Sequence, residues 1–281
     1  MMKKTTKAVT ALMAAAAIQG STFPLQKMAL SGVSPFIFNA LRFGLAALVS
    51  FFVFGKGKAN KGIILGAVLS AGYISQTWGL TLTDASKSGF IVSLYTILIP
   101  VFSYILEKER ITIIQGFAFA LSVAGSYLLS GGIGGFNPGD LLMIGCAISF
   151  ALHIVLITKF SKQVPESDLL FPQFFTVALT NAVLGMKGKW ILPLSSYLVI
   201  VYSALLATVL GIYLQLKFQK SVGSNRTGLI FLMLPISSTI FSYLILGESF
   251  SRPQWIGASI ILVAMMMSSL KLRLQKEGKK A

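Results

Sequence analysis

Carboxylates are scarce in this sequence: 8 Asp and Glu stand among 281 residues, beside 24 Lys and Arg, one His and one Cys. Charged residues make up 11% of the chain, against roughly 25% in soluble globular domains, which excludes an ordinary water-soluble enzyme. No Asp or Glu falls in the middle of an apolar run, so the acidic relay of a proton pump is missing. Cys146 has no second cysteine to pair with, and inside an apolar run it reads as a small packing residue. With one His, one Cys and no buried acids, neither a metal set nor an activated nucleophile can be assembled. The expectation is a protein without enzymatic activity, metal or cofactor.

What the chain does have is apolar length: 55% hydrophobic residues and a mean hydropathy of +0.80. Ten runs are each long enough to cross the hydrocarbon core as a helix, which takes about 20 residues. The first five are Ala8–Leu25, Pro35–Phe54, Gly62–Leu82, Ala85–Leu106 and Ile111–Ser130. The second five are Leu141–Phe160, Leu169–Met186, Ile191–Leu216, Gly228–Leu246 and Pro253–Leu270. Strict alternation, which barrel strands need, is absent. The links are short and turn-like, as at Ser31–Pro35, Gly55–Lys61 and Gly131–Gly139. Lys3, Lys4 and Lys7 before Ala8–Ile18 also mimic a signal peptide, with Ala14–Ala17 as its cleavage site. Apolar character resumes at Phe23–Leu25, and a retained helix is expected.

The net charge of +16 would suggest nucleic acid in a soluble domain, but here the basic residues sit mainly between apolar runs. That is charge that sets topology, and nucleic-acid binding is not expected. With the N-terminus in the cytoplasm, eighteen Lys and Arg lie inside and five outside, with Arg42 alone within a span. The positive-inside bias therefore places both termini in the cytoplasm.

Residues 72–109 align without a gap onto 211–248 at an offset of 139. Gly72/Gly211, Gln76/Gln215, Gly89/Gly228, Phe102/Phe241, Ser103/Ser242, Tyr104/Tyr243 and Glu109/Glu248 are among the identical pairs. Two copies of five spans give an odd number per copy, so the second copy enters the membrane from the opposite face. Lys87 then lies outside and its mate Arg226 inside. Inverted halves are a design of secondary transporters, with the substrate near the midplane between them. The expected fold is an all-α polytopic membrane protein of ten transmembrane helices in two inverted five-helix repeats, residues 1–133 and 134–281.

Polar groups inside the spans are the candidates for substrate binding. Gln76 and Gln215 are related by the repeat and face each other across a cavity or bond between helices. Arg42 contacts a substrate carboxylate or ties to carbonyls or Asp84. His153 lies mid-span and is either a titrating group or a packing histidine. Tyr95 and Tyr213 are further candidates along the path, while Pro100 and Pro235 kink their helices. Glu109 and Glu248, at helix ends beside water, read as structural anchors.

Several motifs resemble the EamA-type transporters of the drug/metabolite transporter superfamily. They are Gly20-Ser21-Thr22-Phe23-Pro24, Asn39-Ala40-Leu41-Arg42-Phe43 and Thr83-Asp84-Ala85-Ser86-Lys87-Ser88, with Glu109 and Glu248 at the family's repeated acidic position. The resemblance covers nearly the whole chain as two EamA units. Gln19 stands where many relatives have Trp, with Phe150 the nearest aromatic counterpart in the second half. It implies ten helices, a central cavity, and export or import of amino acids, other metabolites or drugs. The expected function is a secondary transporter in the plasma membrane, a bacterial inner membrane, working by alternating access. Its partners are the lipid bilayer and a small-molecule substrate, most of all amino acids or related zwitterions and anions, and proton coupling stays open. The alternatives are a multidrug or cation exporter of the same fold, and a membrane protein that transports nothing.

Overall fold

The computed structural model describes the backbone of residues 2–277 apart from 84, 131–135, 189, 191 and 248–250. Side chains are described for that set apart from 2–5, 59, 85–87, 246 and 268–277. Among the described residues every apolar run is helical and no strand forms. The first half holds α1 (Met2–Ala29), α2 (Pro35–Phe54), α3 (Ala59–Leu82), α4 (Ala85–Ser93), α5 (Tyr95–Glu107) and α6 (Ile113–Leu129). The second holds α7 (Pro138–Ser161), α8 (Ser167–Leu184), α9 (Leu194–Tyr202), a π-helical stretch Ser203–Leu210, α10 (Gly211–Val222), α11 (Ser224–Ile230), α12 (Met233–Leu246) and α13 (Arg252–Glu277). Seven of the described helical stretches are long and apolar enough to cross a membrane, and α6 is a shorter apolar helix.

Local chemistry sets the starts and stops. Pro35 opens α2 at a position where its missing N–H costs nothing. Reciprocal capping boxes start α6, between Thr112 and Gln115, and α7, between Asn137 and Asp140. At their far ends α5 and α12 stop on left-handed turns at Lys108 (φ 57°) and Gly247 (φ 67°). The N–H of each returns to the carbonyl four residues earlier, Tyr104 and Tyr243 respectively, both at 3.1 Å.

Three runs differ from the uniform helices the sequence suggests. The fourth breaks at Leu94 and the ninth at Phe231–Leu232. Pro100 has no N–H for the Thr96 carbonyl and Pro235 none for that of Phe231, so each helix is loosened beside its break. The eighth run widens into the π stretch and continues to Val222, beyond the expected end at Leu216.

Packing follows an exchange pattern. Helix α1 lies on α10 and α12, while α7 lies on α3 and on α4 and α5. Helices α2 and α8 pack on each other, as do α6 and α13. Leu12, Ala16, Cys146 and Val155 belong to the buried core between these elements. The outer surface is apolar, with Phe52, Phe117, Leu198 and Leu244 each more than 60% exposed. Such an apolar surface suits lipid rather than water. Trp78, Trp190 and Trp255 are also exposed and lie close to helix ends, as aromatic residues do at the membrane boundary.

Candidate functional site

Both helix breaks border one partly open cavity of about 60 Å³ among the helices. Helix α1 contributes Gln19, Thr22 and Phe23; α3 contributes Leu69, Tyr73 and Gln76; α7 contributes Phe150, His153 and Ile154. Ile212 and Gln215 come from α10, Tyr95 from the start of α5, and Phe231 and Leu234 from the second break. Residues three or four apart on a helix share a face, and the pairs 19/22, 73/76, 150/153 and 212/215 all obey that spacing. The volume holds a few ordered waters, so a metabolite requires the walls to move apart.

Four of the residues singled out from the sequence meet here. Gln76, Gln215, His153 and Tyr95 all line the cavity and are each less than 5% exposed. Among the described residues neither Gln76 nor the Tyr95 hydroxyl makes a hydrogen bond. Nε2 of His153 lies 3.3 Å from Oε1 of Gln173. That fits the tautomer protonated at Nε2, with the imidazole donating to the amide oxygen.

Arg42 stands one layer behind the cavity. Its Nε donates to Thr208 Oγ1 at 2.9 Å and its Nη2 to the Tyr73 hydroxyl at 3.3 Å. Neither carbonyls nor a described carboxylate hold it, and Asp84 lies outside the described residues. Tyr213 is placed elsewhere: its ring stacks on Phe54 and its hydroxyl accepts from Lys217 Nζ at 2.8 Å.

A polar thread leads from the cavity to one end of the bundle. Nε2 of Gln215 donates to Oε1 of Gln219, and Gln219 donates to Thr158 Oγ1 at 2.6 Å and to the Ile154 carbonyl. The Thr158 and Ser224 hydroxyls meet at 2.8 Å, and Ser224 donates to Glu107 Oε2 at 2.6 Å. Glu107 ends on Lys162 at 2.9 Å. Beside it Glu109 accepts from the Ser224 N–H at 3.1 Å, at the start of α11. Burial and the neighbouring Glu107 push the Glu109 carboxyl up from its ordinary value. Glu248 lies outside the described residues.

Sequence reasoning did not single out Tyr73, Thr22, Gln219 or Phe23 as site residues. Gln219 carried a usable signal, being one helical turn beyond Gln215. Tyr73 and Phe23 are aromatics in apolar runs and do not differ in type from residues that face lipid. The pocket lies at two helix breaks and has polar groups along its edge, with neither an acid in its lining nor a metal-binding cluster among the described residues.

The profile of the EamA-like transporter family matches residues 6–131 and again 137–270. A protein of Archaeoglobus fulgidus named as an uncharacterized transporter is 34% identical over 260 residues, covering 92% of this chain and 84% of that one. An S-adenosylmethionine uptake transporter of Rickettsia prowazekii is 26% identical over 210 residues, 73% of this chain and 69% of its own. A solved crystal structure with 21% identity superposes at a TM-score of 0.81, over 96% of this chain and 99% of that chain, which shows a shared fold. The Archaeoglobus and Rickettsia relatives are named as transporters, and this multi-pass membrane protein belongs to the EamA-like transporter family.

Proposed function

We propose that the protein carries small zwitterionic or anionic metabolites, amino acids first among them, across the plasma membrane by alternating access. Gln76 and Gln215 would contact the substrate's polar groups from opposite walls, with Tyr95 and His153 beside them. The observation that carries this reading is that these four residues border one pocket flanked by two broken helices. Broken helices at the midplane are where secondary transporters hold their cargo. No acid is among the described lining residues, which weighs against a cation exporter. His153 meets an amide and no described carboxylate, which favours facilitated diffusion over coupling to protons.

The alternation would come from two inverted repeats, 1–133 and 134–281, rocking about the cavity, with both termini cytoplasmic. Three features support it. The two family matches divide the chain close to residue 134. The packing of α1 on α10 and α12 mirrors that of α7 on α3 and α5. Lys108 and Gly247, both left-handed stops, are also 139 positions apart. Flux of labelled amino acids into or out of proteoliposomes tests the function. No flux for any amino acid, with flux for a lipophilic cation instead, would replace it with the exporter reading. The relative named as an S-adenosylmethionine uptake transporter moves a molecule with an amino-acid end and a sulfonium cation, so it agrees with the amino-acid part of this reading and not with the exclusion of cations.

A further inference from the structure

The buried guanidinium behind the cavity wall is an unfinished site. Arg42 is 1% exposed, and of its five N–H donors the described contacts use two. Nη1 has no partner among the described residues. The rings of Phe43 and Tyr73 lie 5.2 and 4.8 Å from the guanidinium carbon and cover its faces, which softens the loss of water without supplying a counter-charge. No described carboxylate pairs with it. A buried permanent cation left in this state is costly, whereas a carboxylate would satisfy the planar fork with two parallel hydrogen bonds.

The surroundings are arranged toward such a ligand. Thr208 sits on the π-helical stretch, where its hydroxyl donates to the Ser203 carbonyl five residues back at 2.9 Å. That orientation leaves the Thr208 oxygen to accept from Arg42 Nε, so the guanidinium edge carrying the two Nη groups stays uncommitted apart from Tyr73. π-helical turns occur often at functional sites. The Ser203 hydroxyl on the same stretch is also buried with no partner among the described residues. Tyr73 touches both sides: its hydroxyl accepts from Nη2, and its ring lines the cavity edge-on to Phe150.

We propose that Arg42, Thr208 and Tyr73 form a carboxylate subsite opening off the cavity, in which the Tyr73 hydroxyl holds the place of one carboxylate oxygen until substrate displaces it. Arg42 is then the residue that sets the preference for acids over their neutral isosteres, and the Tyr73 hydroxyl, by competing for Nη2, limits it. This rests on the carrier reading above and narrows its substrate class to molecules with a free carboxylate.

The test is a thermal-shift titration of the full chain in detergent with each of the common amino acids and, in parallel, its carboxamide. The expected result is that at least one amino acid binds, and binds at least about tenfold more tightly than its carboxamide. Arg42→Gln should bring the two within about twofold, and Arg42→Lys should fall between. Tyr73→Phe, which removes the competing hydroxyl, should tighten the acid severalfold and leave the carboxamide unchanged. Acid and carboxamide bound equally by the wild type would overturn the subsite while leaving the carrier reading standing. So would a preference that survives in Arg42→Gln, or a Tyr73→Phe variant that binds the acid more weakly. Binding of neither form by any of the pairs would overturn the amino-acid reading and the subsite with it. The wild-type comparison and Tyr73→Phe decide the matter even where Arg42→Gln does not fold.

Discussion

Gln215 is held by Gln219: the first amide donates from Nε2 to Oε1 of the second at 2.9 Å, one helical turn further along α10. Gln219 is fully buried and donates in turn to α7. Gln219→Leu introduces the residue found at the equivalent position 80 and leaves Gln215 free to turn. It should cost about 1–3 kcal/mol of stability, because Thr158 and the Ile154 carbonyl lose a buried donor. Flux should fall further than that loss explains, measured at a temperature where circular dichroism shows the variant folded.

Gln76→Ala gives a cleaner separation of binding from folding. Gln76 has no hydrogen-bond partner among the described residues, so its removal breaks none, and the melting temperature should drop by a few degrees at most. Flux should fall about tenfold, the equivalent of one lost hydrogen bond of roughly 1.4 kcal/mol. Gln215→Ala should show a comparable loss of flux with a larger loss of stability, since it strands Gln219 Oε1. Parallel losses of flux and melting temperature in both variants would make these packing residues.

The glycines at 72 and 211 should not tolerate alanine equally. A Cβ on Gly72 would lie 2.5 Å from Phe150 Cε1, whereas on Gly211 it would meet Gln19 Nε2 at 3.0 Å. The phenyl ring is wedged against Tyr73 and must move bodily, while the amide end of Gln19 swings aside. Gly72→Ala should therefore cost about 1–3 kcal/mol and Gly211→Ala clearly less, read from thermal melts of both variants.

Lys108 holds a left-handed conformation that L-residues other than glycine adopt at a cost of about 1–2 kcal/mol. Gly247 occupies the matching stop of α12. Lys108→Gly should stabilise the protein by up to about 1 kcal/mol, net of the extra chain entropy of glycine when unfolded. A melting temperature below that of the wild type would show that the Lys108 side chain contributes more than its backbone strain removes.

Glu109 governs a pH dependence. Its folded value lies above the ordinary 4.5, from burial first and the charge of Glu107 second. The folded state thus keeps a proton that the unfolded chain has already released. Stability from this group is full below the unfolded value and declines as pH rises through the folded one. Glu109→Gln should abolish that decline while keeping an acceptor for the Ser224 N–H. Melting temperatures of the two proteins over about pH 4 to 8 should converge at the acid end and separate toward neutrality, with the variant higher.

The helical class was legible because apolar length is written directly in composition, and Gln76, Gln215, His153 and Tyr95 stood out as polar groups where lipid would reject them. Tyr213 illustrates an error of angle rather than chemistry. Two residues from Gln215, it lies about 200° around the helix, so the two cannot face one cavity. Its ring lies on Phe54 instead. The breaks at Leu94 and Phe231–Leu232 were half visible in Pro100 and Pro235, which mark loosened turns without showing where the chain will open. The π stretch has no sequence mark: Ser203–Leu210 reads as ordinary helix, and its widening shows in the structure, where the Gly211 N–H reaches back five residues to the Leu206 carbonyl.

The fastenings at the two ends of the bundle differ in kind. Where α5 ends, a carboxylate, two hydroxyls and two amides join α5, α7, α10 and α11 in series. Where α3 ends, the ammonium of Lys27 clasps the carbonyls of Leu80 and Thr83 at 2.7 and 3.2 Å. Unfastening the first means surrendering a longer string of directional bonds, and unfastening the second means sliding one cation off a helix terminus and parting Thr83 from Asp140 and Asn137. The two half-cycles of an alternating carrier would then respond unequally to cooling, with the slower one limiting flux in both directions alike.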